Sequence, residues 1–146
     1  MTVYQDIRFQ LDNKLQTLKN TVGSGLRQVH IGWEGLRLTD QSNFVLTKLM
    51  PTDRRPSSLG YQNNKPTSQR LYGIYQILIC SGQVGLGTAF NMAIADEICM
   101  AFNAGQVLNA NSRTPVYIKQ TEMMRSYQDQ PYYKTPVNIH WYAYEM

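Results

Sequence analysis

A nearly continuous apolar run, LYGIYQILIC at residues 71–80, constrains the fold more than any other part of the sequence. It has the length of a strand, and its β-branched and aromatic residues favour extended backbone. An unbroken apolar run is typical of a strand that is covered on both faces. We therefore predict that this segment is the central strand of a sheet.

The closing segment, residues 135–145, predicts a second long strand because apolar and polar residues alternate along it. Its core face would carry Val137, Ile139, Trp141 and Ala143, and its polar aromatic face Asn138, His140, Tyr142 and Tyr144. Residues 115–121 have moderate strand character. Both segments belong to the predicted sheet.

Two shorter strands are predicted before the apolar run, at residues 28–33 and 43–50. We expect them to form a hairpin or to lie near each other. Pro51 ends the second pattern, and the residues after it are rich in Pro, Ser, Asn and Gln. The sequence therefore predicts a long loop at about 51–70, and a loop of that length tends to be functional or to order on assembly.

An amphipathic helix is predicted at the start of the chain, from about residue 2 to residue 21. Apolar residues recur there at spacings of four and three, at Val3, Ile7, Leu11, Leu15, Leu18 and Val22. Thr2 and Gln5 have the spacing of a capping box, and Gly23 fits a stop at the C-terminal end.

A second helix is predicted after the apolar run, where Gly82, Gly85 and Gly87 turn the chain. Thr88 is its candidate N-cap and Gly105 its candidate stop. The predicted buried stripe consists of Phe90, Ile94, Ile98, Ala101 and Phe102. The small residues that are expected to let the helix approach the sheet closely are Ala89, Ala93 and Ala95.

These segments predict an α+β fold in a single domain at residues 1–146, in the order α-β-β-β-α-β-β. A mixed or antiparallel sheet of about five strands would carry the two helices on one face. Only 16% of the residues are charged, whereas 42% are hydrophobic. Because about a quarter of the residues of an average domain are charged, we expect partner subunits to cover part of the surface.

The net charge of +4 is concentrated in the predicted loop, which holds four basic residues and one acidic residue. They are Arg54, Arg55, Lys65, Arg70 and Asp53, so this segment carries +3 of the +4. The other basic residues are scattered. Two interpretations are open, namely a solvated loop, or a patch that faces DNA or an acidic protein.

No motif in the sequence assembles a catalytic or cofactor site, so we predict that the protein is not an enzyme. The glycines of the strand-to-helix turn have the spacing of neither a dinucleotide-binding fingerprint nor a P-loop. Asp96 and Glu97 are adjacent on the predicted helix, so they diverge around its axis and cannot act as a facing pair of carboxylates.

Histidine and cysteine spacing also argues against a metal site. His30 and His140 are the only histidines, and they lie far apart in predicted strands. Cys80 and Cys99 sit inside apolar runs and are expected to be reduced thiols of the core. No short Cys/His spacing matches a zinc motif, so we expect no bound metal.

Aromatic residues cluster at the ends of two predicted strands, at Trp33 with Glu34 and at Tyr132 and Tyr133 with Lys134. Tyr and Trp are typical of protein interfaces, and they also stack on bases in proteins that bind single-stranded nucleic acid. We favour the protein interface because no ordered basic stripe accompanies these residues.

The landmarks of the chain, taken together, resemble the small tail terminator or tail completion proteins of long-tailed bacteriophages. These landmarks are the N-terminal helix, a short strand that ends in Trp33-Glu34-Gly35, RLYGIYQILIC, ADEICMAFNAGQVL and YYKTPVNIHWYAYE. The resemblance spans most of the chain except residues 51–70.

The resemblance implies a ring of identical subunits, commonly six, that caps the tail tube, ends tube polymerisation and presents a surface to head-proximal connector proteins. Its implied partners are further copies of the chain, the tail tube protein, connector or stopper proteins, and genomic DNA that passes through the lumen without specific binding. No membrane and no cofactor are expected. The ring would be assembled in the host cytoplasm and reside in the tail or neck of the virion.

Two alternatives to the tail terminator follow from the same sequence. A head–tail connector or stopper is the alternative among structural proteins, and a small nucleotide-binding enzyme is the alternative outside that class. For a ring, we expect subunit or tube contacts from the loop, the first strand end and the closing strand. The candidate interface residues are Arg54, Arg55, Lys65, Arg70, Trp33, Glu34, Tyr132, Tyr133, Lys134, Tyr142 and Tyr144.

Overall fold

Three strands of fourteen residues each form the centre of the fold. The computed structural model of the protein describes residues 2–34, 43–56, 61–62, 65–66, 69–82, 87–108, 114–129 and 132–145. Its helices are α1 (Val3–Asn20) and α2 (Gly87–Ala101), with a 3-10 turn at Gly25–Gln28. Its strands are β1 (His30–Gly32), β2 (Asn43–Pro56), β3 (Tyr61–Gln62), β4 (Lys65–Pro66), β5 (Gln69–Gly82), β6 (Val107–Leu108), β7 (Val116–Met123), β8 (Tyr127–Asp129) and β9 (Tyr132–Glu145).

The main sheet has the strand order β1-β2-β5-β9-β7-β6, and β8 also pairs with β9. β1 runs parallel to β2, and the other pairs are antiparallel. β3 and β4 pair with each other in a separate small sheet. The described residues thus form a mixed seven-stranded sheet, where the sequence predicts about five strands. The strands that the prediction misses are two or three residues long, too short to show a period.

The apolar run lies in β5, which is confirmed as a central strand between β2 and β9. The prediction that both of its faces are covered is wrong, because burial alternates along the strand. Leu71, Tyr75 and Ile79 are buried, while Tyr72 and Ile74 are half-buried. Both helices pack against one face in a single core, so the other face of this antiparallel sheet stays on the surface.

The hydrophobic core lies between the sheet and the two helices. The largest fully buried side chains include Trp141 of β9, Tyr75 of β5 and Phe102, which follows α2. The predicted core face of the last strand is confirmed, since Val137, Ile139, Trp141 and Ala143 are all buried. Neither described helix is long and apolar enough to cross a membrane.

The start of α1 confirms the predicted capping box. The Thr2 hydroxyl accepts a hydrogen bond from the Gln5 backbone N–H at 3.3 Å, and Gln5 Oε1 accepts one from the Thr2 N–H at 2.8 Å. The helix ends at Asn20, and Gly23 takes a φ of +88° in the turn beyond it. Val22 was expected on the buried face, but it lies past the helix end and is 83% exposed.

The buried stripe of α2 is confirmed at Ile94, Ile98 and Phe102, while Phe90 and Ala101 are half-buried against the core. The predicted ends of the helix differ from those observed. Thr88 lies inside the helix, which begins at Gly87, and the helix ends at Ala101, before Gly105. Gly85 lies outside the described residues. Glycine therefore marks a turn correctly here without fixing the terminal residue of the helix.

The small residues of α2 do not all face the sheet as predicted. Ala95 is fully buried, but Ala89 and Ala93 are exposed. The buried residues at 91, 94, 95, 98 and 102 define the inward direction of the helix, and Ala89 and Ala93 point away from it. The exposed side also carries Met92 and Met100.

The predicted loop at 51–70 is wrong at both of its ends. β2 continues through Pro51 to Pro56, and β5 begins at Gln69, so the two strands pair as far as Pro56 with Gln69. The register shifts between Pro51 and Asp53, and a bulge at this point accommodates a proline that cannot take a regular place in a ladder. The parts of the predicted loop at 57–60, 63–64 and 67–68 lie outside the described residues.

The prediction for the two early strands holds in position but not in direction. β1 and β2 are neighbours, as expected, but they run parallel and so do not form a hairpin. Gln28 belongs to the 3-10 turn rather than to β1.

Candidate interaction surface

The face of the sheet opposite the helices is the candidate interaction surface, and we call it the open face. Cross-strand pairing arranges its residues in transverse rows. These rows are Arg70–Tyr144, Tyr72–Tyr142–Tyr117, Met50–Ile74–His140–Gln120, Lys48–Gln76–Asn138–Glu122, Leu46–Leu78–Pro136 and Phe44–Cys80–Lys134. No described helix packs on this face.

Tyrosines dominate one end of the open face. The Tyr117 and Tyr142 rings stack with their centroids 5.0 Å apart and 7° between their planes. Tyr72 lies beside Tyr142 at 6.3 Å, and Tyr144 meets the edges of both Tyr117 and Tyr142. Contacts of this kind between aromatic rings stabilise the cross-strand rows beyond the area they bury.

Arg70 holds these tyrosines together. Its guanidinium donates hydrogen bonds to the hydroxyls of Tyr72 at 3.1 Å and Tyr144 at 2.5 Å. The same group lies 5.0 Å from the Tyr144 ring centre and 5.5 Å from that of Tyr142. The hydrogen bonds to Tyr72 and Tyr144 raise the pKa of Arg70. Arg70 therefore holds Tyr72 and Tyr144 in position on the open face.

Arg54 and Arg55 are neighbours in sequence but serve opposite faces of the sheet. Arg54 binds Glu145 at 3.2 Å and lies over the Tyr4 ring of α1. Arg55 lies over Tyr72 on the open face, and its Nε donates to Asp53 at 2.6 Å. This hydrogen bond lowers the pKa of the Asp53 carboxyl. The predicted basic patch is thus divided by the alternation of β2.

The other end of the open face carries the predicted Tyr132 and Lys134. Tyr132 meets Phe44 edge-on, with their centroids 5.1 Å apart. Lys134 donates to Asp129 at 2.7 Å, which raises the pKa of the lysine. Cys80 is buried in the same row, and burial raises the pKa of its thiol to about 11. It therefore stays a neutral thiol at physiological pH, which argues against a nucleophilic role.

Three predicted interface residues are half-buried and have contacts within the protein, so their role at an interface stays a prediction. Tyr133 pairs with Ser81 on the helix side of the sheet, and its carbonyl accepts a hydrogen bond from Asn91 at 3.0 Å. Trp33 is half-buried against the core. Glu34 accepts a hydrogen bond from the Leu49 N–H at 2.8 Å. Lys65 lies in β4, and its side chain is outside the described residues.

The open face also contains residues that were not predicted from the sequence as interface residues. Tyr117 and Lys119 of β7 join the tyrosine end, and Glu122 lies 2.8 Å from the imidazole of His140. Alternation along residues 116–118 is the signal that would have placed Tyr117. Lys119 lies at the register shift between Ile118 and Gln120, so its position could not be predicted from alternation.

A half-buried polar network joins α1 to the sheet. The Tyr75 hydroxyl donates a short hydrogen bond to Asp12, and the Arg8 guanidinium lies 3.6 Å from the same carboxylate. Burial raises the pKa of Asp12, and that of Tyr75 is raised well above its ordinary range. Arg8 also donates to the Glu34 carbonyl, so this network connects the helix to the segment that follows β1.

The other predicted polar groups do not assemble a reactive site. Glu97 accepts a hydrogen bond from the Gly25 N–H at 3.0 Å, while Asp96 is exposed. His30 and His140 lie on different strands, separated by β2 and β5. Within the part of the chain that the structure describes, no group of three His, Cys, Asp or Glu residues could hold a metal ion.

The fold is an α+β sheet with both helices on one face and tyrosine and basic side chains on the open face. The family model described as "Phage tail terminator protein" matches residues 6–141, so the chain belongs to the phage tail terminator family. The protein is therefore a structural component of the phage tail that interacts with other tail components.

The fold occurs among solved structures. One of them superposes with a TM-score of 0.72 over 97% of this chain and 96% of its own, at 14% sequence identity. At that identity the likeness shows the fold alone. No curated protein matches the sequence.

Proposed function

We propose that the protein forms a ring, with six subunits, that caps the tail tube, ends its polymerisation and offers the attachment surface for head-proximal connector proteins. Family membership supports the tail role. The proposal of a ring rests on a difference between the two outer strands of the sheet, which pair with their neighbours in different directions. β1 is parallel to its neighbour and β6 is antiparallel to its own, so the edges present different surfaces.

Two different edges suit a ring because a cyclic assembly joins unlike surfaces of successive subunits. Each edge strand is short, and among the described residues each pairs on one side only. A neighbouring subunit can therefore continue the sheet from such an edge. Val107 of β6 is 38% exposed beside the groove between β6 and α1, and we assign it to this contact.

The test compares Val107→Lys with Val22→Lys, which makes the same change in the exposed turn after α1. We expect light scattering to give a ring mass for the parent protein and Val22→Lys, and a monomer mass for Val107→Lys. A ring that persists in Val107→Lys would contradict the edge assignment.

Tube capping is tested separately by adding the protein to polymerising tail tube protein. We expect shorter tubes with a ring at one end in electron micrographs. Unchanged tube length together with binding to connector proteins alone would favour a connector or stopper role.

A further inference from the structure

A cleft of about 260 Å³ opens on the open face between the tyrosine row and His140. Its lining residues are Thr52, Asp53, Arg55, Tyr72, Gly73, Lys119, His140 and Trp141. The function proposed above does not use it.

The cleft exists because one transverse row is irregular. This row crosses four strands and consists of Pro51, Gly73, Trp141 and Ile118, each paired with the next. The register shifts directly after Pro51 and directly after Ile118. Gly73 has no side chain, and a Cβ there would lie 2.3 Å from Trp141 Cζ2. Bulges of this kind redirect side chains and are common beside functional sites.

Arg55 and Lys119 come from strands that are not neighbours, and both reach the Tyr72 ring. The Arg55 guanidinium lies 5.7 Å from the Tyr72 ring centre, and the Lys119 ammonium lies 5.9 Å from it. An anion bound near this ring would therefore be attracted by both cations. Among the residues described, Lys119 has no carboxylate partner.

The side chains that line the cleft carry a net positive charge, because Arg55 pairs with Asp53 and Lys119 remains. The Arg54 N–H also donates to Asp53, and Glu122 lies beside His140. Arg70 adds a further cation at the Tyr72 hydroxyl. The indole N–H of Trp141 is buried and has no acceptor among the described residues.

We propose that this cleft binds a phosphate group of a nucleic-acid backbone, with Arg55 and Lys119 as its two cationic contacts. Both side chains are long enough to meet phosphate oxygens, and Arg can do so with two parallel hydrogen bonds. The adjacent row of Tyr72, Tyr142 and Tyr117 adds aromatic surface beside the cleft, and aromatic side chains contact the bases in proteins that bind nucleic acid without sequence preference. The proposal goes beyond tube capping and does not depend on ring formation.

The experiment uses the purified full chain, labelled single-stranded and duplex oligonucleotides, and inorganic phosphate as a separate probe. Arg55→Gln/Lys119→Gln removes both contacts, while Arg27→Gln/Arg125→Gln removes two exposed arginines elsewhere. We expect the first variant to bind about tenfold more weakly at about 0.1 M salt, with the salt slope reduced by about one because one phosphate contact is lost. Lys119→Arg, with Arg55 unchanged, should retain the affinity for oligonucleotides because the positive charge is kept.

Equal affinity and salt slope in the two double variants would overturn the proposal. So would loss of self-association in Arg55→Gln/Lys119→Gln with unchanged oligonucleotide affinity, because the cleft would then hold an acidic side chain of a second copy. Thermal stabilisation by inorganic phosphate that depends on both cations would show that the phosphate group alone is enough for binding. A response to oligonucleotides alone would show that contacts with the tyrosine row are also needed for binding. Far-UV circular dichroism checks that each variant is folded.

Discussion

Single residues in this protein have roles that depend on their partners across the sheet. Arg54 and Arg55 are adjacent, yet one binds Glu145 on the helix side and the other lies over Tyr72 on the open face. The exposed ion pairs contribute little to stability by themselves. Positions packed inside the fold contribute more, and buried Gly73 and half-buried Asp12 lead to predictions.

Gly73→Ala should destabilise the protein by about 1–3 kcal/mol, because the new Cβ would overlap the rigid Trp141 ring and approach the Met50 carbonyl to 2.9 Å. Urea denaturation measures the free energy of unfolding. In a Trp141→Phe background the added cost should fall, because the overlapping ring atoms are absent. If Gly73→Ala is equally destabilising in the Trp141→Phe background, the destabilisation comes from the contact with the Met50 carbonyl instead.

Asp12→Asn should reveal the pH dependence of the half-buried network of Asp12, Tyr75 and Arg8. Burial raises the pKa of Asp12 in the folded state, so its contribution is fully present below the ordinary aspartate pKa of about 3.9 and is lost as pH rises through the raised value. From about pH 7 to about pH 4, the free energy of unfolding of the parent should therefore rise relative to Asp12→Asn. A constant difference, measured by urea denaturation, would refute this assignment.

At the scale of elements, helix α2 shows how far a periodic pattern can be trusted. The stripe at Ile94, Ile98 and Phe102 follows from spacing, because large apolar residues define the buried direction. Alanine fits either face of a helix, so the orientation of Ala89 and Ala93 could not be deduced from residue type. Their exposure beside Met92 and Met100 makes this side of α2 apolar.

Ala95→Leu and Ala93→Leu form a matched pair that tests the orientation of α2. Ala95 is fully buried, so the larger side chain should overpack the core and cost about 1–3 kcal/mol. Ala93 is exposed, so the same change there should alter stability by less than about 0.5 kcal/mol. Equal urea midpoints for the two variants would show that the helix is rotated from the described position.

At the scale of the whole molecule, the sheet divides the protein into a packed face and an open face. The predicted loop becomes a long β2–β5 pairing that extends the open face and carries Arg55 and Arg70 beside the tyrosines. The aromatic interface expected from the last strand lies on that face at Tyr142 and Tyr144. Its role in contacts between subunits stays a prediction.

Arg54→Glu/Arg55→Glu should prevent the purified protein from forming rings and from complementing tail assembly, because two basic side chains on opposite faces of β2 change sign. Arg27→Glu/Arg125→Glu makes the same net change at exposed sites elsewhere and should assemble normally. Light scattering and a complementation assay measure the two outcomes. If Arg54→Glu/Arg55→Glu forms normal rings and complements tail assembly, the β2 arginines do not belong to the assembly interface.

The sequence by itself determined the parts of the protein that depend on neighbours along the chain. The α1 capping box, the buried stripe of α2 and the alternation of β9 all follow from local spacing, and the order of these segments indicated the family. The tertiary structure decided that one face of β5 stays open and that β2 continues past Pro51. It also decided that Arg55 and Lys119 meet at one cleft, because strand order and bulges are set by pairing between distant segments.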